Sequence, residues 1–154
     1  MQKLNIAIPQ DAVWILNKLN EGGHEAYIVG GCVRDSILGR MPQDWDITTS
    51  ALPEETKTIF DHTFDTGIKH GTITVVLHHE NYEITTYRID GEYADCRHPD
   101  EVSFTKKLNE DLLRRDFTMN AIAYHPKEGF RDPFHGQEDI AAGMIRGVGE
   151  PAKR

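Results

Sequence analysis

Apolar residues recur along this chain in two spacings, one helical and one alternating, and together they predict a mixed α+β domain. The run QDAVWILNKLNE after Pro9 has helical spacing, and the glycine pair at 22–23 ends it. The unbroken apolar run at 27–29 predicts a buried strand. The segments GTITVVLHH and YEITTYRI are alternating and β-branched, which predicts an antiparallel hairpin that turns at residues 80–81.

Further elements are predicted by the same reasoning. A helix is expected at Pro53, where a proline and two acids begin a helical run, and others near residues 108–113 and 137–142. MIRGVG is expected to be a last strand-like piece. The segment DGEYADCRHPDEV interrupts all periodicity, and we expect it to be an exposed, mobile loop.

Composition and charge narrow the class of protein. With 154 residues, 38% of them hydrophobic, the chain is large enough for one domain with a core. No apolar run approaches the roughly 20 residues that a membrane span needs, so no membrane partner is predicted. Cys32 and Cys96 have no metal-binding spacing, and a reduced, cytoplasmic setting is expected. A net charge of −8 does not favour a domain that binds nucleic acid on its own.

Two aspartates flank a tryptophan in QDWDITTS, where Asp44 and Asp46 are at positions i and i+2 of a predicted strand. Such side chains share a face, with their Cα atoms about 6–7 Å apart. The two carboxylates can chelate one Mg²⁺ or bridge two ions, and oxygen-only ligation favours Mg²⁺ or Mn²⁺ over zinc. The alternative is a pair of solvent-facing acids on an edge strand.

A glycine pair precedes these acids. Gly30 and Gly31 join the strand at 27–29 to a predicted helix, so backbone N–H groups at the helix start can point at an anion. Arg34, one turn further on, can hold a phosphate through two parallel hydrogen bonds. Beside a metal-binding pair, this turn predicts a site for a metal-bound triphosphate. The alternative is a glycine helix entry with Arg34 as surface charge.

Three more polar residues are candidates for the same site. Glu83 points away from Tyr82 and Ile84 on its strand and is a candidate third carboxylate; the alternative is an acid on the solvent face. Arg115 and Asp116 are about 100° apart if helical, so one can meet a phosphate and the other a ribose hydroxyl. Alternatively, they are a basic residue at a helix end and a capping acid.

Taken together, these segments resemble those of the class II tRNA nucleotidyltransferases, which are the bacterial CCA-adding enzymes and the related poly(A) polymerases. The matching pieces occur in the family's order after residue 25: GGCVRD, DWDITTS, KHGTITV, YEITTYR, DGEYADCRHPDEV, EDLLRRDFTMNAIAY, DPFHGQEDI and IRGVGEPAKR. The resemblance implies a polymerase-β-like nucleotidyltransferase head, with a small mixed, largely antiparallel sheet flanked by helices.

The resemblance also implies the roles of the candidate residues. The nucleotide-binding residues would be Gly30, Gly31, Arg34, Arg115 and Asp116. The catalytic carboxylates would be Asp44, Asp46 and Glu83, of which the first two would hold Mg²⁺. The implied reaction is attack of the tRNA 3′-hydroxyl on the α-phosphate of CTP or ATP, with one metal activating the hydroxyl and a second neutralising the departing pyrophosphate.

The family's base-selecting motif follows a stretch like GEPAKR, with which this chain ends. We therefore expect residues 1–140 to be the catalytic head and 141–154 the start of a neck, with the basic tRNA-binding surface downstream; the isolated head would be inactive or unselective. Three alternatives remain. They are a poly(A) polymerase or a CC- or A-adding enzyme of the same family, a nucleotide-binding domain without catalysis, and a small-molecule nucleotidyltransferase of the antibiotic-modifying kind.

Overall fold

A computed structural model describes residues 8–42, 44–67, 71–90, 102–115, 117–145 and 147–148 of the chain. Within these residues the helices are α1 (Gln10–Glu21), α2 (Gly31–Ile37), α3 (Pro53–Ile59), α4 (Leu108–Leu113) and α5 (Gly136–Ala141). The strands are β1 (Ala26–Val29), β2 (Asp46–Thr49), β3 (Thr63–Gly67), β4 (Thr72–Leu77), β5 (Glu80–Thr86), β6 (Arg88–Asp90), β7 (Val102–Phe104), β8 (Ala123–His125) and β9 (Gly129–Arg131). No helix in these ranges is long and apolar enough to cross a membrane.

Seven of the strands form one sheet in the order β3-β4-β5-β2-β1-β8-β9, and β6 and β7 form a separate ribbon. Strands β2 and β5 are parallel, and every other neighbouring pair in the sheet is antiparallel. The predicted α+β domain with a mixed, largely antiparallel sheet is therefore confirmed. The parallel pair lies near the centre of the sheet.

Strand β1, in the interior of the sheet, is buried on both of its faces, which accounts for its unbroken apolar sequence. Ile28 packs in one core cluster with α1, whose inward face carries Ile15, Leu16 and Leu19. Burial of each such side chain contributes about 1.5–3 kcal/mol. The neighbours of Ile28 on β1 face the opposite side, where a second cluster includes residues of α4 and the buried Val148. The β1 end that leads to Gly30 is therefore fixed from both sides.

Three local predictions are wrong. The hairpin turns at His78 and His79, with φ of 49° and 68°, and not at residues 80–81, so these histidines do not lie on a strand. Strand β2 begins at Asp46, so Asp44 precedes the strand. In the described part of MIRGVG, the only strand-type pairing is a single bridge between Gly147 and Phe117.

We expect His79→Gly to stabilise the domain. A turn with positive φ at both central residues favours glycine, because a side chain in the left-handed region is strained. The substitution should raise the free energy of unfolding by about 0.5–1 kcal/mol, measured by urea titration. His79→Ala is the matched control: it removes the same imidazole but keeps a Cβ at φ 68°, so it should give no gain. A gain of equal size in both variants would contradict this explanation.

Candidate active site

The sheet register brings the glycine turn and two of the candidate carboxylates together. Asp46, the first residue of β2, lies opposite Val29 of β1 on one side and opposite Glu83 of β5 on the other. Residues directly opposite on neighbouring strands are about 4.8 Å apart and point to the same face. Val29 is followed at once by Gly30, so the turn begins beside Asp46.

Asp44 and Asp46 line the same cleft although only Asp46 belongs to a strand. Trp45 between them is buried in the main core cluster, so the flanking carboxylates point outwards, and both aspartates are exposed. The cleft has a volume of about 520 Å³, and Gly31 and Arg34 form part of its wall. The aspartate pair and the glycine turn therefore share one opening.

Negative charge accumulates at Asp46. Partial loss of hydration within the cleft raises the pKa of its carboxyl, the nearby Glu83 carboxylate raises it further, Arg115 lowers it, and Asp44 raises it again. A divalent cation bound between these carboxylates would relieve the repulsion. The site therefore favours a cation.

The donor set at this cleft fits Mg²⁺. Among the described residues, no group of three His, Cys, Asp or Glu side chains is close enough to hold a metal ion. Mg²⁺ is commonly bound through one or two carboxylates, with water and substrate phosphates completing its shell, so the two aspartates meet its requirements. Glu83 is placed beside Asp46 by the register but does not complete a three-ligand group.

Two guanidinium groups from distant parts of the chain lie against the glycine turn. Gly30 has φ of +85°, and a Cβ there would be 3.7 Å from Nη1 of Arg115. A Cβ on Gly31 would be 3.4 Å from Nη2 of Arg34. Both distances are ordinary van der Waals contacts, so the two arginines lie directly against the turn, and it is the positive φ that favours glycine at position 30. Positive charge is thus placed next to the carboxylates, as a metal-bound phosphate chain requires.

Neighbouring side chains fix Arg34 in its orientation. Its Nη1 donates to Oδ1 of Asn120 at 3.0 Å, and its Nε and Nη2 both donate to Oδ1 of Asp35 at 3.2 Å. Asn120 was not predicted from the sequence to belong to the site. The structure shows that its amide connects the short 3₁₀ turn at Thr118–Asn120 to Arg34 of α2.

Arg115 is mostly buried, and within the described part of the chain its Nε has no hydrogen-bond partner. Its Nη2 donates to Oδ2 of Asp111 at 3.3 Å, and its side chain is 18% exposed. Its Nε is buried, and no acceptor for it lies among the described residues. Burial lowers the pKa of this guanidinium, and Asp111 opposes that change. A guanidinium whose Nη1 lies beside Gly30 suits an anionic ligand at the glycine turn.

Some of the predicted site lies outside the described residues. This applies to Asp116 and to the acidic segment DGEYADCRHPDEV beyond Asp90, up to residue 101. Two other residues join the site without having been singled out. Arg40 lines the same cleft as Asp44, and the buried Asp111 holds Arg115. In the sequence, both resemble ordinary surface charges.

Fold and site together define a class of protein, namely a mixed α+β head domain with paired acids and two arginines gathered at a glycine turn. The chain belongs to the poly A polymerase head domain family, whose profile matches residues 26–146. The resemblance derived from the motifs is thereby confirmed.

Relatives within this family are named as CCA-adding enzymes. The one from Leuconostoc mesenteroides is 52% identical over 144 residues, which are 94% of this chain and 36% of the relative. The one from Listeria monocytogenes is 54% identical over 143 residues, 93% of this chain and 36% of the relative. The chain thus spans about a third of the length of the curated relatives it matches.

A solved structure shares the fold closely. The Bacillus stearothermophilus CCA-adding enzyme in complex with CTP superimposes with a TM-score of 0.85 and 49% sequence identity, and the match covers 94% of this chain and 34% of that chain.

Proposed function

We propose that the full-length protein adds CMP and AMP from CTP and ATP to the 3′-hydroxyl of tRNA and so builds or repairs the CCA end. The observation that carries this proposal is the shared cleft of Asp44 and Asp46 beside an arginine-lined glycine turn. The relatives named CCA-adding enzymes, more than half identical over nearly all of this chain, support the choice of reaction.

Each site residue that the structure describes has a proposed role in this reaction. The glycine turn and the guanidinium groups of Arg34 and Arg115 bind the triphosphate and hold its α-phosphate in line with the attacking hydroxyl. Asp44 and Asp46 hold Mg²⁺, which when bound supplies charge neutralisation for phosphoryl transfer. Outside the described residues, Asp116 is proposed to bind the ribose.

The proposed part of Glu83 is to maintain the negative potential that keeps a cation at Asp46, because the register places its carboxylate next to that ligand. In the part of the structure that is described, it does not form a three-ligand group with the aspartates. Its loss should therefore weaken cation binding less than the loss of Asp46 itself.

We further propose that residues 1–140 form the catalytic head and that a neck begins at 141. Val148 nonetheless packs in the second core cluster of the head, and Gly147 pairs with Phe117. The first neck residues would thus be joined to the head through the same core that supports β1.

The test uses the full-length protein with tRNA transcripts that end before CCA. With Mg²⁺, CTP and ATP, we expect products longer by three nucleotides, resolved by gel electrophoresis and sequencing. Long adenosine tails would instead indicate a poly(A) polymerase, a second candidate that the family's own description favours. No extension by a protein that binds CTP and Mg²⁺ would contradict the transfer reaction.

A further inference from the structure

The fully buried carboxylate of Asp111 joins Arg115 to two other parts of the fold, strands β2 and β6. Asp111 is 0% exposed. Its Oδ2 accepts hydrogen bonds from Oγ1 of Thr48 and Nη2 of Arg115, each at 3.3 Å. Its Oδ1 accepts from the backbone N–H of Arg88 at 3.1 Å and from Nε of Arg114 at 3.3 Å. A buried charge with this many donors is well compensated.

The position of Asp111 connects the nucleotide side of the site to its metal side. Thr48 and Asp46 are two residues apart on β2, so they share a face of the sheet. The carboxylate of Asp111 accepts a hydrogen bond from the buried Thr48. The same carboxylate accepts one from Arg115, whose Nη1 lies near Gly30 of the glycine turn. A single carboxylate thus contacts both Arg115 and the strand that carries Asp46.

We propose that Asp111 is a positioning residue for nucleotide binding, because its carboxylate holds Nη2 of Arg115 and so directs Nη1 towards the glycine turn. The inference rests on the proposed function, in which Arg115 binds the triphosphate. An arginine side chain has many rotamers, and ordering it when ligand binds opposes association. Asp111 orders it beforehand and thereby raises affinity.

A purely structural role for Asp111 would have a different signature. All four of its hydrogen bonds stabilise the folded state, so any substitution should lower the melting temperature. If Asp111 positions Arg115, however, the loss of CTP affinity caused by substituting Asp111 should also require Arg115 to be present. The experiment therefore measures affinity and stability separately.

Asp111→Asn in the full-length protein retains the shape of the side chain but removes its charge. We expect the Kd for CTP with Mg²⁺, measured by calorimetry, to rise about tenfold, with KM rising in parallel and kcat changing less. Thr48→Val is the matched control, since it removes one hydrogen bond to the same carboxylate without touching Arg115. It should lower the melting temperature but leave the Kd within about twofold.

A double-mutant cycle with Arg115→Gln decides whether Asp111 acts through the arginine. On the Arg115→Gln background, we expect Asp111→Asn to change the Kd hardly at all. Additive effects of the two substitutions on the Kd would overturn the inference. So would an unchanged Kd in Asp111→Asn when Arg115→Gln binds CTP weakly. Either result would leave the proposed function standing. An unchanged Kd in Arg115→Gln would overturn both this inference and the proposed role of Arg115. If Asp111→Asn does not fold, Asp111→Glu takes its place in the cycle, because it displaces the carboxylate while keeping the charge.

Discussion

Asp46→Asn in the full-length protein is expected to lower kcat for nucleotide addition by about a thousandfold or more, because the metal supplies several kcal/mol of transition-state stabilisation. The fold should be retained. Asp46 is exposed, and its raised pKa shows that the folded protein disfavours its ionised form. A neutral amide therefore removes repulsion with Glu83 without opening a cavity. Activity is measured with Mg²⁺ and CTP, and stability by thermal unfolding.

The same loss is expected for Asp44→Asn, since both aspartates line the cleft. Asp61→Asn is the matched control, because Asp61 is an exposed aspartate that follows α3 and does not line this cleft. It should keep full activity. Turnover by Asp46→Asn within a few fold of the unmodified protein would contradict the metal assignment.

Gly136→Ala is expected to produce a large loss of stability. A Cβ at Gly136 would lie 2.1 Å from the carbonyl oxygen and 2.8 Å from the carbonyl carbon of Thr118, and 2.9 Å from Cδ1 of Ile122. Two of these three atoms belong to the backbone, so α5 and the 3₁₀ turn must separate. We expect a loss of about 3 kcal/mol or more in the free energy of unfolding, which lowers Tm by roughly 6–12 °C.

Gly143→Ala tests whether this effect arises from the close approach. Gly143 has φ of +66°, but a Cβ there would meet no atom within 4 Å. Only backbone strain remains, and the cost should be about 1 kcal/mol. Equal losses for the two variants, measured by urea unfolding, would contradict the packing explanation for Gly136.

Much of the fold could be predicted because its signals are local. Helix α1 begins directly after Pro9 and ends at Glu21, just before the glycine pair, as the sequence indicated. The apolar run of β1 and the alternating residues of β4 and β5 identified three of the four central strands. The common direction of the acids in DWD was predicted from strand periodicity, but Asp44 precedes β2, and the burial of Trp45 between them accounts for it instead.

The short strands and one turn of the fold could not be predicted, because no local sequence pattern indicates them. Strands β8 and β9 are three residues long, too short for a periodic signal, so neither was predicted from the sequence. The turn at His78 and His79 lacks the usual glycine or asparagine, so it could not be recognised from turn chemistry.

The candidate site was predictable residue by residue but not as an arrangement. The alignment of Asp46 with Glu83 follows from a parallel register between strands that are far apart in the sequence. The approach of Arg115 to Gly30 follows from the way α4 packs. Asp111 lies in the charged run NEDLLRR, where a buried carboxylate and a solvated one have the same appearance.

The central claim is that the cleft beside the glycine turn binds a metal–triphosphate complex through Asp44 and Asp46. The most direct test is a crystal of the protein grown with Mn²⁺ and a non-hydrolysable CTP analogue, in which anomalous scattering locates the ion. The account predicts the ion bonded to both aspartates, with the triphosphate against Gly30, Gly31 and Arg34. An ion bound elsewhere, with the two carboxylates turned away from the nucleotide, would contradict it.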